Sequence, residues 1–366
     1  MIPLILEEID REIINLLGKR IAILNESKLP GLQVESSDTT KLLAQTGVPE
    51  FVWKSITISC AAAIASSSTT PARPRKVTVI GGYGKLGRFF SQQLSTAGHE
   101  VSILEHSDWD DAPRLLGSAE LVLVCVPIEH TLSIIQQAAP YLKPDTALAD
   151  ITSVKTPIVQ ELLKQHQGPV LSLHPMFGPG VQSFLSQNVV VCPGRQEQAF
   201  KWLLDLIESS GGKLIACTPE EHDHMMVAIQ AIRHFTTFSL GVFLAEEGID
   251  ISRSLAFSSP LYRLEIDMVS RLFAQDSALY VDIMLTAVER RQAITRLVET
   301  YSRLAQLVEN KDGAALKREF EATRSTFAQG ANQAVAESNH IIDSLSLLLA
   351  ANVAEAQRAA PTPSLA

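Results

Sequence analysis

Three patterns of hydrophobic and polar residues follow one another along the chain. In roughly the first 65 residues, apolar side chains such as Ile9, Ile13 and Leu17 recur at steps of three and four, with charged residues between them. This spacing is typical of amphipathic helices. From Lys76 onward, short apolar runs alternate with helical stretches. Beyond about Glu220 the strand-like runs end, and the pattern predicts long helices only.

The middle pattern predicts a doubly wound α/β sheet of the Rossmann type, because strands and helices alternate along it. Several apolar runs are continuous rather than alternating, as expected of parallel strands that are buried on both faces. The predicted strands are residues 77–80, 101–104, 121–126, 147–151, 170–173, 189–192 and 214–217.

We place domain boundaries where these patterns change. Residues 1–65 form a helical segment, and residues 66–75, rich in Ser, Thr and Pro, form a linker. Residues 76–219 form the Rossmann-like domain, residues 220–354 an all-helical domain, and residues 355–366 a disordered tail. Apolar helix faces in the fourth of these segments favour a homodimer interface, with packing inside one chain as the alternative. Its predicted helices are residues 225–244, 261–274, 277–308 and 316–349.

The composition indicates a globular enzyme-sized protein. The 366 residues are too many for one ordinary core, and 46% of them are hydrophobic. The net charge of −9 disfavours binding to nucleic acid or anionic membranes, which requires a basic face. We find no uninterrupted apolar run of about 18 residues and no basic segment before an apolar N-terminus. We therefore expect a cytoplasmic protein with neither nucleic acid nor membrane as a partner.

The strongest local motif is a glycine-rich turn after the first predicted strand. The sequence VTVIGGYGKLGR contains G-x-G-x-x-G and leads into a predicted helix. Gly82 permits a tight turn, Gly84 lets the backbone approach a pyrophosphate, and Gly87 lets the helix pack closely on the strand. The N–H groups at the start of the helix then hold the phosphates. The predicted cofactor-binding loop is Gly82, Tyr83, Gly84, Lys85, Leu86 and Gly87.

Glu105, at the end of the second predicted strand, favours NAD over NADP. It lies 18 residues after Gly87, close to the spacing expected of an acidic ribose ligand. Its carboxylate would bond the ribose hydroxyls and repel a 2′-phosphate, although a protonated His106 would weaken that preference. A solvated strand end is the alternative. Val126 and Pro127 follow the third strand and are predicted to line the cofactor, with an ordinary strand end as the alternative.

Polar residues follow two later predicted strands. The sequence DITSVK offers Ser153 and Lys155, and LHPMFGP offers His174. The ends of successive parallel strands lie along the same edge of the sheet as the glycine loop. An imidazole there can accept a proton from a hydroxyl while hydride leaves the same carbon for NAD. We predict His174 as the catalytic base and Ser153 as a residue that orients it or bonds the substrate hydroxyl. A surface or core histidine is the alternative.

These motifs together resemble those of the prephenate dehydrogenase family. The stretch from Val77 to about Gly330 is similar to the dehydrogenase part of bacterial bifunctional chorismate mutase–prephenate dehydrogenases. The matching motifs, in family order, are GGYGKLGR, ILEHSDWD, VPI, SVK, LHPMFGP, EHDHMM, IQAIRHF, SSPLYRLE, and MVSRLFAQD with LYVDIM. The resemblance implies NAD-dependent oxidative decarboxylation of prephenate to 4-hydroxyphenylpyruvate, the precursor of tyrosine. His174 would accept the proton of the 4-hydroxyl.

The resemblance also implies a cationic pocket, because prephenate is a dianionic cyclohexadiene. Arg271 in MVSRLF matches the substrate-binding arginine of the family, and its planar fork suits a carboxylate. Lys155 and Arg263 fall at basic positions of the family, with surface ion pairs as the alternative. His234 lies in a helix that borders the active site in the family. There it would serve substrate binding or tyrosine feedback, with simple packing as the alternative; Tyr280 is a further candidate.

No metal site is expected from the sequence. The four cysteines lie far apart and form no CxxC pair. His222 and His224 form an H-x-H motif, but histidines two residues apart on a helix point in different directions. We predict that residues 220–223 serve the start of a helix.

The resemblance continues weakly upstream. Residues 9–28 look like the first helix of a chorismate mutase domain, whose pocket holds a dianion with several basic residues. Arg20 matches one arginine of that pocket, but Pro3 and Gly31 stand at basic positions, and residues 37–40 replace an Arg-Glu pair. Without cations nothing offsets the desolvation of the dianion. We predict a degenerate segment without mutase activity that serves as a structural or dimer-contacting appendage.

Two other functions stay open. One is oxidation of 4-amino-4-deoxyprephenate in secondary metabolism, since Leu240 stands where the family usually carries an aromatic residue. The other is a non-catalytic NAD-binding regulator, against which the retention of Ser153, Lys155, His174 and Arg271 speaks. A 2-hydroxy-acid or imine reductase would leave LHPMFGP and MVSRLF without an explanation.

Overall fold

The computed structural model describes residues 2–27, 37–64, 73–178 and 180–359. The chain divides into two compact units, Met1–Asp223 and His224–Ala366. This division lies four residues beyond the predicted boundary between residues 219 and 220. Most of the predicted linker, and residues 360–366 of the predicted tail, lie outside the described residues.

The N-terminal segment is helical, as predicted. Amphipathic periodicity produces α1 (Ile2–Ser27), and two shorter helices follow, α2 (Ser37–Thr46) and α3 (Glu50–Ile64). The guanidinium of Arg20 on α1 lies 5.7 Å from the ring centre of Trp53 on α3, a cation–π contact between the two helices.

The middle of the chain forms one seven-stranded sheet in the order β2-β1-β3-β4-β5-β6-β7. Its strands are β1 (Lys76–Ile80), β2 (Glu100–Leu104), β3 (Leu121–Val124), β4 (Ala147–Asp150), β5 (Val170–Pro175), β6 (Asn188–Arg195) and β7 (Lys213–Ala216). All neighbours are parallel except β5 and β6, which run antiparallel. The doubly wound prediction is confirmed, with two strands, β6 and β7, that run opposite to β1–β5 and that the apolar pattern does not distinguish.

Helices cover both faces of this sheet. They are α4 (Lys85–Thr96), α5 (Ala112–Ser118), α6 (Ile128–Ala138), α7 (Thr156–Gln165) and α8 (Lys201–Ser209), and α9 (Pro219–Met226) follows β7 along the chain. Phe89 and Phe90 of α4 pack with Ile207 of α8 on one face, whereas Leu116 of α5 and Ile135 of α6 pack on the other. Full burial of such side chains stabilises the fold by roughly 1.5–3 kcal/mol each. The buried strands explain why their sequences are continuously apolar.

The register of the strands fixes where the site lies. Ile80 pairs with both Leu104 and Val124, Val124 pairs with Asp150, and Asp150 pairs with Ser172. The carboxyl ends of β1 to β5 therefore lie along one edge of the sheet. The residues predicted to bind cofactor and to react lie at these five ends or shortly after them.

The second unit contains helices throughout its described part, as predicted, but they are shorter than the sequence pattern indicates. A π-helical segment (Val227–Ile232) precedes α10 (Arg233–Glu246), α11 (Ile251–Ala256), α12 (Pro260–Phe273), α13 (Ser277–Leu285), α14 (Val288–Glu309), α15 (Gly313–Phe327) and α16 (Ala331–Ala359). The predicted single helix over residues 277–308 is wrong. Buried Arg290 donates to the carbonyl of Ile283 at 2.8 Å, and Arg291 donates to that of Leu285, so side chains satisfy the end of α13.

Two further expectations about this unit change. The predicted helix over residues 316–349 is interrupted by a 3₁₀ turn (Ala328–Gly330), and α16 continues to Ala359. The predicted disordered tail is therefore wrong for residues 355–359. The continuous helical stretch Pro219–Glu246 is, by length and composition alone, apolar enough to cross a membrane, a property that the search for apolar runs missed.

Candidate active site

The glycine loop joins β1 to α4 at the carboxyl edge of the sheet. Its left-handed residue is Gly81, with φ of +76°, whereas the fingerprint attributes the tight turn to Gly82. The amide of Gly81 donates to the Leu104 carbonyl at 3.0 Å. A Cβ atom on Gly81 would lie 2.6 Å from the Cys125 carbonyl oxygen, so the turn requires glycine there. Gly82 instead makes room for Ile103, which a Cβ atom would approach to 2.7 Å.

The remainder of the loop has the geometry of a phosphate cradle. Gly84 caps α4 in an extended conformation and, having no side chain, makes no cap hydrogen bond to the first N–H groups of that helix. A Cβ atom on Gly87 would lie 2.2 Å from the Gly81 carbonyl oxygen, which gives the close helix–strand packing predicted for it. Tyr83 and Lys85 are exposed, while Leu86 packs on the core. Backbone N–H groups at such a helix start bind anions, so the loop fits a pyrophosphate.

Glu105 is engaged with this loop rather than solvated alone. Its Oε1 accepts a hydrogen bond from the amide of Tyr83 at 2.7 Å. An ionised carboxylate accepts several hydrogen bonds, so this contact leaves capacity for ribose hydroxyls. Val126 is half-buried and neighbours Gly81, since its Cγ1 would lie 3.0 Å from a Cβ atom there. Pro127 caps α6 and is exposed.

A buried ion pair occupies the end of β4. The Nζ of Lys155 lies 2.9 Å from Oδ2 of Asp150, and both side chains are fully buried. Asp150 also accepts hydrogen bonds from the amide of Thr152 at 2.8 Å and from the hydroxyl of Ser172. Burial lowers the pKa of Lys155, and the carboxylate of Asp150 opposes that shift. In the structure the ammonium group of Lys155 is paired with Asp150, as a buried charge requires a partner; its predicted role in substrate binding stays a prediction.

Ser153 lies on the loop that this ion pair anchors. It is half-buried and stands between Asp150 and Lys155 in sequence. Asp150, the last residue of β4, pairs with Ser172 of β5. Ser153 lies three residues after Asp150, and His174 lies two residues after Ser172. The sheet therefore carries these two predicted residues to the same edge.

His174 is the fifth residue of β5 and is almost fully buried. Its Nδ1 lies 2.8 Å from Nε2 of His222 on α9, and the two rings meet edge to face with centres 5.0 Å apart. Nδ1 of His222 in turn lies 2.9 Å from Oδ1 of Asp223. The side chains of His174, His222 and Asp223, which no sequence motif groups together, thus form one continuous chain of polar contacts.

Asp223 ends this chain at the start of α7. Its two carboxylate oxygens accept hydrogen bonds from the amides of Lys155 at 2.8 Å and Thr156 at 2.9 Å. Burial opposes its ionisation, but hydrogen bonds from His222 and the two amides outweigh burial and hold the pKa of Asp223 at about 2. The group is therefore a carboxylate at neutral pH.

The sequence analysis missed His222 and Asp223 as site residues. The EHDHMM motif was visible, but residues 220–223, which include His222 and Asp223, were assigned to the start of a helix. Glu220 and Glu221 do lie in the first turn of α9. The approach of His222 to His174, which is 48 residues away, arises from packing that no local pattern encodes. Among the residues that the structure describes, no three potential ligands are grouped so that they could hold a metal ion.

The second unit brings other predicted residues together. The ring of His234 on α10 meets that of Tyr280 on α13 edge to face, with centres 4.9 Å apart. Burial, with the charges of Arg233 and Arg290, lowers the pKa of His234 to about 4. Its Nδ1 is buried and has no hydrogen-bond partner among the described residues.

Arg271 and Arg263 both lie on α12. Arg271 is exposed in the last turn, and its charge opposes the effect of burial, which raises the pKa of Tyr280. Arg263 is half-buried in the first turn of the same helix, after the Ser259 cap. The cationic, phenolic and imidazole groups of this unit are suited to binding carboxylates and hydroxyls.

Comparison with known proteins links both units to one group of enzymes. A family model described as "Prephenate dehydrogenase, nucleotide-binding domain" matches residues 91–216, and "Prephenate dehydrogenase, dimerization domain" matches residues 218–322. The T-protein of Haemophilus influenzae is 42% identical over 267 residues, covering 73% of this chain and 71% of that protein. The T-protein of Enterobacter agglomerans is 41% identical over 270 residues, covering 74% and 72%.

A solved structure has the same fold. It is a prephenate dehydrogenase from A. aeolicus in complex with hydroxyphenyl propionate and NAD+. The match has a TM-score of 0.57 at 17% identity and covers 71% of this chain and 99% of that chain.

Proposed function

This chain belongs to the prephenate dehydrogenase family, and from this premise we propose that it oxidises and decarboxylates prephenate to 4-hydroxyphenylpyruvate with NAD. The observation that carries this function is the edge shared by the glycine loop after β1 and His174 near the end of β5. A dinucleotide site and a buried imidazole at the same edge suit removal of a hydride and a proton from one carbon. The reaction serves tyrosine biosynthesis.

The residues of the loop fit the cofactor. Gly82, Gly84 and Gly87 keep side chains out of the cradle, and the N–H groups that start α4 would hold the pyrophosphate. Glu105, which already accepts a hydrogen bond from the amide of Tyr83, would also accept hydrogen bonds from the ribose hydroxyls and disfavour a 2′-phosphate. When bound, NAD supplies the acceptor for the hydride that leaves C4 of the substrate. Val126 and Pro127 would line its rings.

His174 acts as general base and then as general acid toward the 4-hydroxyl oxygen. It accepts this proton as hydride leaves C4, so the C4–O bond gains double-bond character. The C–C bond to the ring carboxylate then breaks, carbon dioxide departs, and the electron pair makes the ring aromatic. His174 returns the proton to the phenolate oxygen of the product, so charge and atoms balance with no net proton change. Ser153 would orient the imidazole or bond the hydroxyl.

The helical unit would bind the two carboxylates of the substrate. Arg271 is the first candidate, because its exposed guanidinium matches a carboxylate bidentately. Arg263 and His234 are the others. The helical unit would also form a homodimer, since it matches a dimerization-domain model and exposes apolar side chains, including Phe238 and Phe243. We place the enzyme in the cytoplasm with no nucleic-acid or membrane partner.

The N-terminal helices would lack chorismate mutase activity. Arg20, which matches a mutase arginine, stacks on Trp53, and the SDTT sequence that begins α2 supplies no cation. Gly31, another altered position, lies outside the described residues. Purified full-length protein should therefore leave chorismate unconverted. Formation of prephenate from chorismate would contradict this part of the proposal.

Steady-state kinetics with the purified full chain tests the dehydrogenase assignment. Prephenate with NAD should give NADH and 4-hydroxyphenylpyruvate in equal amounts. Arogenate and 4-amino-4-deoxyprephenate, measured side by side, should give lower kcat/KM. A higher kcat/KM for 4-amino-4-deoxyprephenate would instead support a role in secondary metabolism. NAD binding without turnover of any of the three substrates would support a non-catalytic NAD-binding regulator.

A further inference from the structure

We propose that His222 and Asp223 are positioning residues that fix the tautomer of His174, leaving the lone pair of that imidazole on Nε2. Together the three side chains form a relay, which we define as His174, His222 and Asp223. The proposal deepens the proposed function and rests on it, since it assigns to these residues the preparation of the base that receives the substrate proton.

The argument begins at the carboxylate end. Asp223 accepts hydrogen bonds from two backbone amides, those of Lys155 and Thr156, at 2.8 and 2.9 Å. Both amides lie at the start of α7, where the helix dipole also favours a negative charge. With its pKa held at about 2, Asp223 is an acceptor only. The ring nitrogen that lies 2.9 Å from it, Nδ1 of His222, must therefore carry a hydrogen and donate it.

The next step passes this constraint to the second ring. A neutral imidazole with a hydrogen on Nδ1 has its lone pair on Nε2. Nε2 of His222 is therefore an acceptor, and Nδ1 of His174, 2.8 Å away, must donate to it. The reverse tautomer of His174 would place two lone pairs against each other at that distance. His174 consequently holds its own lone pair on Nε2.

Burial of the two imidazoles keeps water from changing this choice of tautomer. His174 and His222 have 4% and 1% of their surface exposed, so bulk water does not compete for their ring nitrogens. Serine proteases use the same principle, in which a buried acid holds an imidazole in the reactive tautomer without itself taking the proton. Here a second imidazole lies between acid and base, and the charge of Asp223 stabilises the imidazolium form of the relay once His174 has accepted a proton.

Paired substitutions at His222 test the relay. His222→Leu keeps volume but removes the acceptor, so kcat for prephenate should fall about 100-fold with KM changed little. His222→Gln can present its amide oxygen near the former Nε2, so it should keep kcat within about tenfold of wild type. His224→Leu, on the same helix but exposed, should leave the kinetics unchanged. Equal losses in His222→Leu and His222→Gln, or full activity in His222→Leu, would overturn the proposal.

A spectroscopic measurement keeps the test independent of turnover. In wild-type protein with ¹⁵N-labelled histidine, Nδ1 of His174 should have the shift of a protonated nitrogen and Nε2 that of an unprotonated one. His222→Leu should give a mixture of both tautomers. A hydrogen on Nε2 of neutral wild-type His174 would refute the relay. If wild type fails to oxidise prephenate, the proposed function fails, while this spectrum still decides the tautomer.

A second variant covers the case in which His222→Leu does not fold. Asp223→Asn is nearly isosteric but uncharged, so it should lower kcat about tenfold and leave NAD binding intact. An unchanged kcat in Asp223→Asn together with an unchanged ¹⁵N spectrum of His174 would exclude a role for the carboxylate.

Discussion

Two buried polar clusters lie at the same edge of the sheet, and they differ in what they can do. In one, Asp150 and Lys155 neutralise each other at 2.9 Å, and Thr152 and Ser172 occupy further acceptor sites of the carboxylate. In the other, His174 and His222 join Asp223 to the site through two rings. A closed ion pair holds the loop in shape, whereas imidazoles can exchange protons near neutral pH. Burial alone therefore does not identify a functional charge; its partners do.

Removing the imidazole of His174 should have the largest effect. His174→Asn should lower kcat about 1000-fold, within the range known for loss of general base catalysis, and should change KM for prephenate and the Kd for NAD little. Kinetics and NAD titration measure the three values. His130→Asn, an exposed histidine of α6, is the control. A rise in KM with kcat preserved would assign His174 to binding instead.

Breaking the closed cluster should damage stability rather than chemistry. Lys155→Met leaves Asp150 buried without its counter-ion, and we expect the free energy of unfolding to fall by about 3–5 kcal/mol. Denaturant unfolding measures it. Lys164→Met removes a largely exposed ammonium from a surface ion pair on α7 and should change stability by less than about 1 kcal/mol. A stable Lys155→Met variant with a raised KM would instead support the substrate-binding role predicted for Lys155.

Substituting Arg271 should affect substrate binding, whereas substituting His174 should affect proton transfer. Arg271→Ala should raise KM for prephenate about 30-fold, because a charge-assisted pair with a carboxylate contributes roughly 1.5–3 kcal/mol. Its effect on kcat should be smaller. Arg271→Lys keeps the charge but loses the bidentate fork, so it should recover only part of the affinity. A selective fall in kcat would instead link Arg271 to the chemical step.

The smallest effect is expected at the cofactor end of the sheet edge. Glu105→Ala should raise the Kd for NAD about tenfold and narrow the preference over NADP, because both the ribose ligand and the contact with the Tyr83 amide are lost. Glu100→Ala, at the exposed start of the same strand, is the matched control. An unchanged NAD/NADP ratio would exclude the ribose role.

The predictable parts of this molecule are those that local pattern determines. Continuous apolar runs predicted the strands, and glycine spacing predicted the loop before α4, because burial on two faces and close backbone approach restrict residue type directly. The direction of β6 and β7, the break between α13 and α14, and the contact of His222 with His174 depend on which segments meet in space. Lys155 shows the same limit, since only tertiary structure distinguishes a buried ammonium from one that faces a ligand.

Mutational tolerance at the start of the cofactor loop follows from the backbone of Gly81. Alanine, the smallest substitute, would bring a carbon to 2.6 Å from a main-chain oxygen of the adjacent strand end, in a left-handed conformation. The position of the Cβ atom is fixed by the backbone of residue 81, and the oxygen belongs to the backbone of Cys125, so neither atom can rotate away. A saturation library of this position should therefore retain a single functional amino acid, although the sequence fingerprint leaves position 81 outside its three specified glycines.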